Sequence, residues 1–317
     1  MDRIICVAGP TASGKTKLAV DLALHYHGTV ISCDSMQIYK GMSIGTAKPT
    51  AEEMQGVPHY MLDFLDPNED YSVGRYVEEA DKILQEQLET GKTVIICGGT
   101  GLYMDSLIAG RTFAAAPETG KRQELQQLAR EQGIDAVLEI LRKADPERAE
   151  KLSRNDEKRI IRAAEIYLET GETATAHDAE TRRQPAKYLR VWLGLNYLDR
   201  QKLYDRINLR VEQMLQQGLR QELEELLAFG VREDATAMQA IGYKELLACR
   251  RREETLETAV ERLKQGTRRY AKRQLSWFRR NEEIHWLYPD GEPDWDSLLS
   301  KAIQIADEAF CEEGRRE

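Results

Sequence analysis

The chain has 317 residues, 31% of them charged, and a formal net charge of −9, which argues against a largely disordered chain and leaves room for one large core or two smaller ones. No apolar run approaches a membrane span, and the N-terminus carries Asp2 and a glycine-rich loop where a secretory signal needs its apolar core, so the expected location is cytoplasmic. The five cysteines, Cys6, Cys33, Cys97, Cys249 and Cys311, show neither C-x-x-C spacing nor histidines placed for zinc, and read as reduced, mostly structural thiols.

Ile4-Ile5-Cys6-Val7-Ala8 reads as a buried strand that runs into Gly9-Pro10-Thr11-Ala12-Ser13-Gly14-Lys15-Thr16. That stretch fits the phosphate-loop pattern G-x-x-x-x-G-K-[ST], in which backbone N–H groups and a helix start cradle an anion. Lys15 is placed to neutralise phosphate charge and the Thr16 hydroxyl to hold Mg²⁺. ATP binding with NTP hydrolysis or phosphoryl transfer is the commonest use of such a loop.

Strands are expected at 30–33, 61–65 and 93–97, with helices at 15–26 and 73–89. This alternation predicts an α/β fold, a parallel P-loop sheet with helices on both faces. Asp34 follows the second strand and is open to three roles: catalytic base, Mg²⁺-linked carboxylate or turn cap. Gly98-Gly99-Thr100-Gly101 follows the strand at 93–97. Thr100 reads either as a helix cap or as a contact to an oxygen that departs with phosphate. The segment from Gly41 to Pro49 reads equally as a surface turn or a ligand contact.

From 117 to 186 the texture becomes charged and helical, which suggests a helical insertion domain between core segments 1–116 and 187–317. A strand is expected at 187–195, helices from 199 to 280 broken near Gly218, Gly230 and Gly242, and a frayed acidic tail from 307. Between Arg262 and Arg280 the chain has eight Lys or Arg and no Asp or Glu. A solvated face is the usual reading of basic helix residues, but the absence of alternating acids favours phosphate-backbone binding here.

Taken together, Gly9 to Thr16, Asp34-Ser35-Met36-Gln37-Ile38-Tyr39-Lys40-Gly41-Met42, Ile44 to Pro49, Gly56-Val57-Pro58-His59, Gly98 to Tyr103, Ile241-Gly242-Tyr243-Lys244 and Thr267 to Phe278 resemble the bacterial tRNA dimethylallyltransferase (tRNA isopentenyltransferase) family. The resemblance runs from residue 1 to about Trp286. It implies transfer of a dimethylallyl group from dimethylallyl diphosphate to N6 of adenosine 37 in tRNA, with diphosphate rather than ATP in the cradle. It further implies Asp34 as general base, Thr100 at the bridging oxygen of the leaving group, and Arg210 gripping the diphosphate, with Arg206 the second candidate. The tRNA anticodon stem-loop would meet Asp34, Ser35, Met36 and Gln37, the insertion through Lys158, Arg159 and Arg162, and Gln239, Gly242, Tyr243, Lys244, Lys272, Arg273 and Arg279. Mg²⁺ is the implied cofactor and a monomer the expected state. The alternative from another reaction class is a P-loop kinase in which Asp34 activates a metabolite hydroxyl.

Overall fold

The structure is a computed structural model that describes residues 3–111, 113, 119–176, 179, 188 and 190–313. It divides into two compact units, one formed by Met1–Ile108 with Tyr188–Glu317 and the other by Ala109–Lys187.

The larger unit is built on a six-stranded sheet of β1 (Ile4–Ala8), β2 (Thr29–Cys33), β3 (His59–Tyr60), β4 (Val94–Gly98), β5 (Arg190–Leu195) and β6 (Ile284–Leu287). The order is β3-β2-β4-β1-β5-β6 and every pair is parallel. All five residues of β1 and of β2 are buried, as a parallel sheet covered on both faces requires. Side chains alternate between faces, so Ile4, Cys6 and Ala8 enter one core with Tyr76, Leu84 and Met104, while Ile5 and Val7 enter a second with Leu18 and Leu22.

Helices α1 (Lys15–His25), α2 (Ala51–Met54), α3 (Val73–Glu89) and α4 (Gly101–Ile108) belong to the first part of this unit. Ser72 opens α3 by accepting the Arg75 N–H at 3.1 Å, and Thr50 with Glu53 forms a capping box on α2. The strand expected at 61–65 is absent. Met61 and Asp63 take left-handed φ values of 60° and 56°, which extended backbone does not tolerate, and β3 lies just upstream while Leu65 forms a single bridge with Tyr39.

The second unit contains α5 (Lys121–Gln132), α6 (Ile134–Ala144), α7 (Pro146–Lys151) and α8 (Glu157–Thr170). It has its own core of Leu125, Val137, Leu138, Leu141, Ile160 and Ala164. Asp145 caps α7 through the Arg148 N–H at 3.1 Å and accepts the Thr175 hydroxyl at 2.7 Å.

The larger unit resumes with β5 and continues through α9 (Arg200–Gln216), α10 (Leu219–Ala228), a 3₁₀ turn at Thr236–Gln239, α11 (Tyr243–Arg250), α12 (Leu256–Phe278), β6 and α13 (Trp295–Glu313). The tail expected to fray is helical as far as Glu313, because Ala306 and Phe310 bury against the sheet and Tyr26 Oη donates to Asp307 at 2.8 Å. Positions 187 and 189 of the expected strand, and Arg315 and Arg316 in the tail, lie outside the described residues.

Candidate active site

Strand register brings three loops to one edge of the sheet. Ala8 of β1 pairs with Gly98 of β4, and Gly98 pairs with Cys33 of β2, so Gly9, Gly99 and Asp34 leave the sheet at the same level. In an open parallel sheet this C-terminal edge is where ligands bind. A cavity of about 310 Å³ opens there, lined by Thr11, Lys15, Thr16, Asp34, Gly99, Arg210, Tyr270 and Arg273 among others.

The cradle segment is shaped for an anion. Gly14 precedes α1 with φ 99° and no side chain caps the helix, which leaves its first-turn N–H groups to a ligand. Ala12 sits at a left-handed φ of 62°, and the buried Ser13 Oγ has no partner among the described residues. Lys15 Nζ donates to the Pro10 carbonyl at 2.8 Å. Desolvation pulls its ammonium below the ordinary lysine value, opposed by the nearby Cys97 and Asp34. Cys97 is the converse case: burial raises its thiol to about 11, with Lys15 lowering and Asp34 raising it, so it stays protonated.

Asp34 Oδ1 accepts the N–H groups of Met36 at 2.9 Å and Gln37 at 3.3 Å. The turn-capping role is therefore real, and it occupies one oxygen of a carboxylate that still lines the cavity. Thr100 precedes α4 and its hydroxyl accepts the Ser35 N–H at 3.1 Å, joining the Asp34 loop to the glycine loop. Arg210 lies on the cavity wall, its guanidinium pKa lowered by burial and raised by Glu53 and Asp34. Arg206 turns elsewhere, donating from Nε to the Ala12 carbonyl at 3.0 Å.

Two neighbours of the site escaped the sequence. Glu222 is buried on α10 and accepts the N–H groups of Ser43, Ile44 and Gly45 at 2.8, 2.7 and 3.0 Å. It also accepts the Tyr243 hydroxyl at 2.5 Å. The loop so fixed offers the Thr46 and Ala47 carbonyls to Gln37 Nε2 at 3.2 and 3.0 Å. Glu222 sits in a Glu-rich helical run that gives no hint of this. The second is Gln274, whose buried carboxamide accepts the Thr11 N–H and donates to the Gly99 carbonyl.

The expected RNA-facing residues divide. Ser35, Met36, Gln37, Gln239 and Lys244 line the cavity. Tyr243, expected as a tRNA contact, is fully buried against Glu222 and next to the buried Gly242, so its side chain does not reach a partner. Lys272 and Arg273 on α12 and Arg279 at its C-cap are exposed. The count of eight unopposed cations needs correction. Arg262 pairs with Glu254 at 2.7 Å and Lys264 with Glu212 at 2.9 Å, whereas Arg268 donates to the neutral Asn208 side chain at 2.5 Å, which does not offset its charge. Those partners come from other segments, which a local tally misses. In the second unit Lys158 and Arg159 are exposed at the start of α8, while Arg162 is held at 2.9 Å by the buried Glu165, which also takes Arg122.

Among the described residues no three His, Cys, Asp or Glu gather to hold a metal, and no helix is long and apolar enough to cross a membrane.

The family model described as IPP transferase matches residues 37–281. A tRNA dimethylallyltransferase of Acetivibrio thermocellus is 46% identical over 305 residues, 96% of this chain and 97% of that protein. One from Bacillus cytotoxicus is 45% identical, with 92% of each chain covered. Among solved structures, the tRNA isopentenylpyrophosphate transferase of Bacillus halodurans matches at 38% identity with a TM-score of 0.74, covering 99% of this chain and 100% of that one. A eukaryotic dimethylallyltransferase acting on tRNA matches at 29% identity with a TM-score of 0.85, covering 99% of this chain and 80% of the other. A parallel sheet with a phosphate loop after its first strand, matched along nearly its whole length by these enzymes, identifies the chain as a transferase belonging to the IPP transferase family.

Proposed function

We propose that this chain transfers the dimethylallyl group of dimethylallyl diphosphate to N6 of adenosine 37 in tRNA and releases diphosphate. The observation that supports the reading is the register of Ala8, Gly98 and Cys33, which brings the Asp34 carboxylate, Gly99 and the Thr11–Thr16 segment to one cavity, with Thr100 next in the chain to Gly99. The lining also includes Ile207, Val211, Met214 and Leu263, apolar side chains suited to a five-carbon allyl chain.

In this reading the N6–C bond forms as the allylic C–O bond breaks, the N6 proton passes to Asp34, and the electron pair leaves on diphosphate. An exocyclic adenine amine is a weak nucleophile, so a base in reach of its proton lowers the barrier. Asp34 is suited to that role because the Met36 and Gln37 N–H groups fix its carboxylate through one oxygen. Charge growing on the leaving group is met by Lys15, Arg210, the Thr100 hydroxyl and the N–H groups at the start of α1.

Thr16 and Asp34 bring hard oxygen donors to the same cavity. Mg²⁺ takes one or two protein oxygens and completes its shell with water and phosphate oxygens, so this donor set fits it, with Thr16 as ligand. When bound it supplies further neutralisation of diphosphate charge.

A base stacked in the anticodon loop cannot reach a recessed carboxylate, so adenosine 37 enters by flipping out. Exposed Lys272, Arg273 and Arg279 on one unit, and Lys158 and Arg159 on the other, supply contacts for the RNA backbone. The test is incubation of the protein with labelled dimethylallyl diphosphate and unmodified tRNA, beside an ATP-hydrolysis control. Label on tRNA at adenosine 37 is expected; ATP turnover without label on tRNA favours the kinase reading instead.

A further inference from the structure

The phosphate loop and the glycine loop after β4 are not bonded only through the sheet. Gln274, on α12 and 4% exposed, reaches both. Its Oε1 accepts the Thr11 N–H at 2.9 Å and its Nε2 donates to the Gly99 carbonyl at 3.0 Å. The orientation of the amide follows from its partners, since an N–H must meet the oxygen and a carbonyl must meet the nitrogen. Tyr270, one helical turn away, lines the same cavity as Gln274.

The surrounding sequence is cut to this contact. A Cβ on Gly99 would lie 2.0 Å from Gln274 Nε2, and one on Gly101 would lie 2.1 Å from the Trp277 ring. These glycines thus admit α12 against the sheet edge. The Thr11 N–H, by its position in the loop a natural phosphate donor, is committed to protein. The anion is left to the N–H groups further along, at the start of α1.

We propose that Gln274 is a positioning residue that holds the phosphate loop and the Thr100 loop in the register needed for diphosphate departure. The proposal rests on the reading of these loops as the diphosphate site. The chemistry is demanding, because the clamp needs one acceptor and one donor on a planar fork. An ionised carboxylate lacks the donor, a cation lacks the acceptor, and a thioether lacks both. Because the clamp shares α12 with the exposed Lys272 and Arg273, and Arg279 caps its C-terminus, the helix that meets RNA backbone also sets the geometry of the leaving-group site.

The test compares Gln274→Met and Gln274→Glu with wild type in single-turnover transfer, tRNA binding and pyrophosphate binding, after thermal melting confirms that each variant folds. Gln274→Met is expected to lower the transfer rate at least tenfold while tRNA affinity changes by less than about twofold. Gln274→Glu is expected to be impaired at neutral pH and to recover relative to wild type as pH falls, because its protonated carboxyl regains a donor for the Gly99 carbonyl. The Gln274→Met to wild-type ratio should stay flat over the same range. If Gln274→Met transfers at the wild-type rate, or the Gln274→Glu ratio does not change with pH, the proposal is overturned. If Gln274→Met does not fold, the Gln274→Glu profile decides alone. A wild-type protein that binds pyrophosphate but transfers no dimethylallyl group would overturn the assigned reaction; the clamp would then be judged by pyrophosphate affinity, which both variants should weaken at neutral pH.

Discussion

Arg206 donates from Nε to the carbonyl of Ala12, at the position where the phosphate loop takes its left-handed turn, with 3.0 Å between the two atoms. Arg210, one turn further along α9, lines the cavity instead. The two arginines are therefore placed differently: one holds the loop after β1, the other faces the cavity.

This difference predicts distinct kinetic signatures. Arg210→Met should weaken pyrophosphate binding and slow the chemical step together, by on the order of 10²-fold, as loss of a charge aimed at the leaving group implies. Arg206→Met removes one part-buried hydrogen bond to the loop and should cost roughly tenfold or less. Single-turnover rates and pyrophosphate titrations of both variants check this. Equal losses would place the two side chains in one role.

Burial of the Lys15 ammonium carries a stability cost. Burial lowers its pKa in the folded chain, so between that value and the ordinary lysine value the unfolded chain holds the extra proton, and stability rises as pH rises through this window. Below the window the cost is fully present, and within it the cost falls as pH rises. Lys15→Met should therefore melt at a higher temperature than wild type at neutral pH, with the advantage shrinking as pH approaches the ordinary lysine value. Pyrophosphate binding should be lost in the same variant. Melting curves across pH would show an unchanged or lower melting temperature if burial of this ammonium is not costly.

In the proposed reading, the exposed cations at the C-terminal end of α12 set the salt dependence of RNA binding. Each phosphate contact contributes about 0.7 to 0.9 to the slope of log affinity against log salt. Replacing Lys272, Arg273 and Arg279 by Gln should flatten that slope and weaken all tRNAs alike, since backbone contacts position without reading bases. Arg262→Gln should leave it nearly unchanged, because Glu254 already neutralises that guanidinium. Binding isotherms over a range of salt decide this. A steeper loss for Arg262→Gln than for the triple variant would move the RNA path to the other end of the helix.

How far the sequence revealed the site follows from how local each signal is. The strand before the phosphate loop, Asp34 after β2 and Thr100 after β4 are read from short stretches, because an apolar run and a glycine turn are local features. Burial of Tyr243 and the pairing of Arg262 with Glu254 and of Lys264 with Glu212 were not legible, since Glu222, Glu254 and Glu212 lie outside the motifs being read, whereas Arg162 and Glu165 are an i,i+3 pair on one helix that the sequence does carry. The clamp of Gln274 on Thr11 spans 263 positions, and Glu222 holds a loop 177 to 179 positions away. The strand misread at 61–65 failed for a backbone reason: apolar residues there alternate plausibly, but two of the positions adopt left-handed φ.

The central claim, that Asp34 takes the proton from the attacking amine, is tested most directly by single-turnover transfer with Asp34→Asn. Asparagine retains Oδ1 as the acceptor for the Met36 and Gln37 N–H groups and removes only the basic carboxylate. Transfer to tRNA should fall by about 10² to 10⁴-fold, the range for loss of a general base, while tRNA and pyrophosphate affinities stay close to wild type. Transfer at a near-normal rate by Asp34→Asn would contradict the account and remove Asp34 from the proton's path.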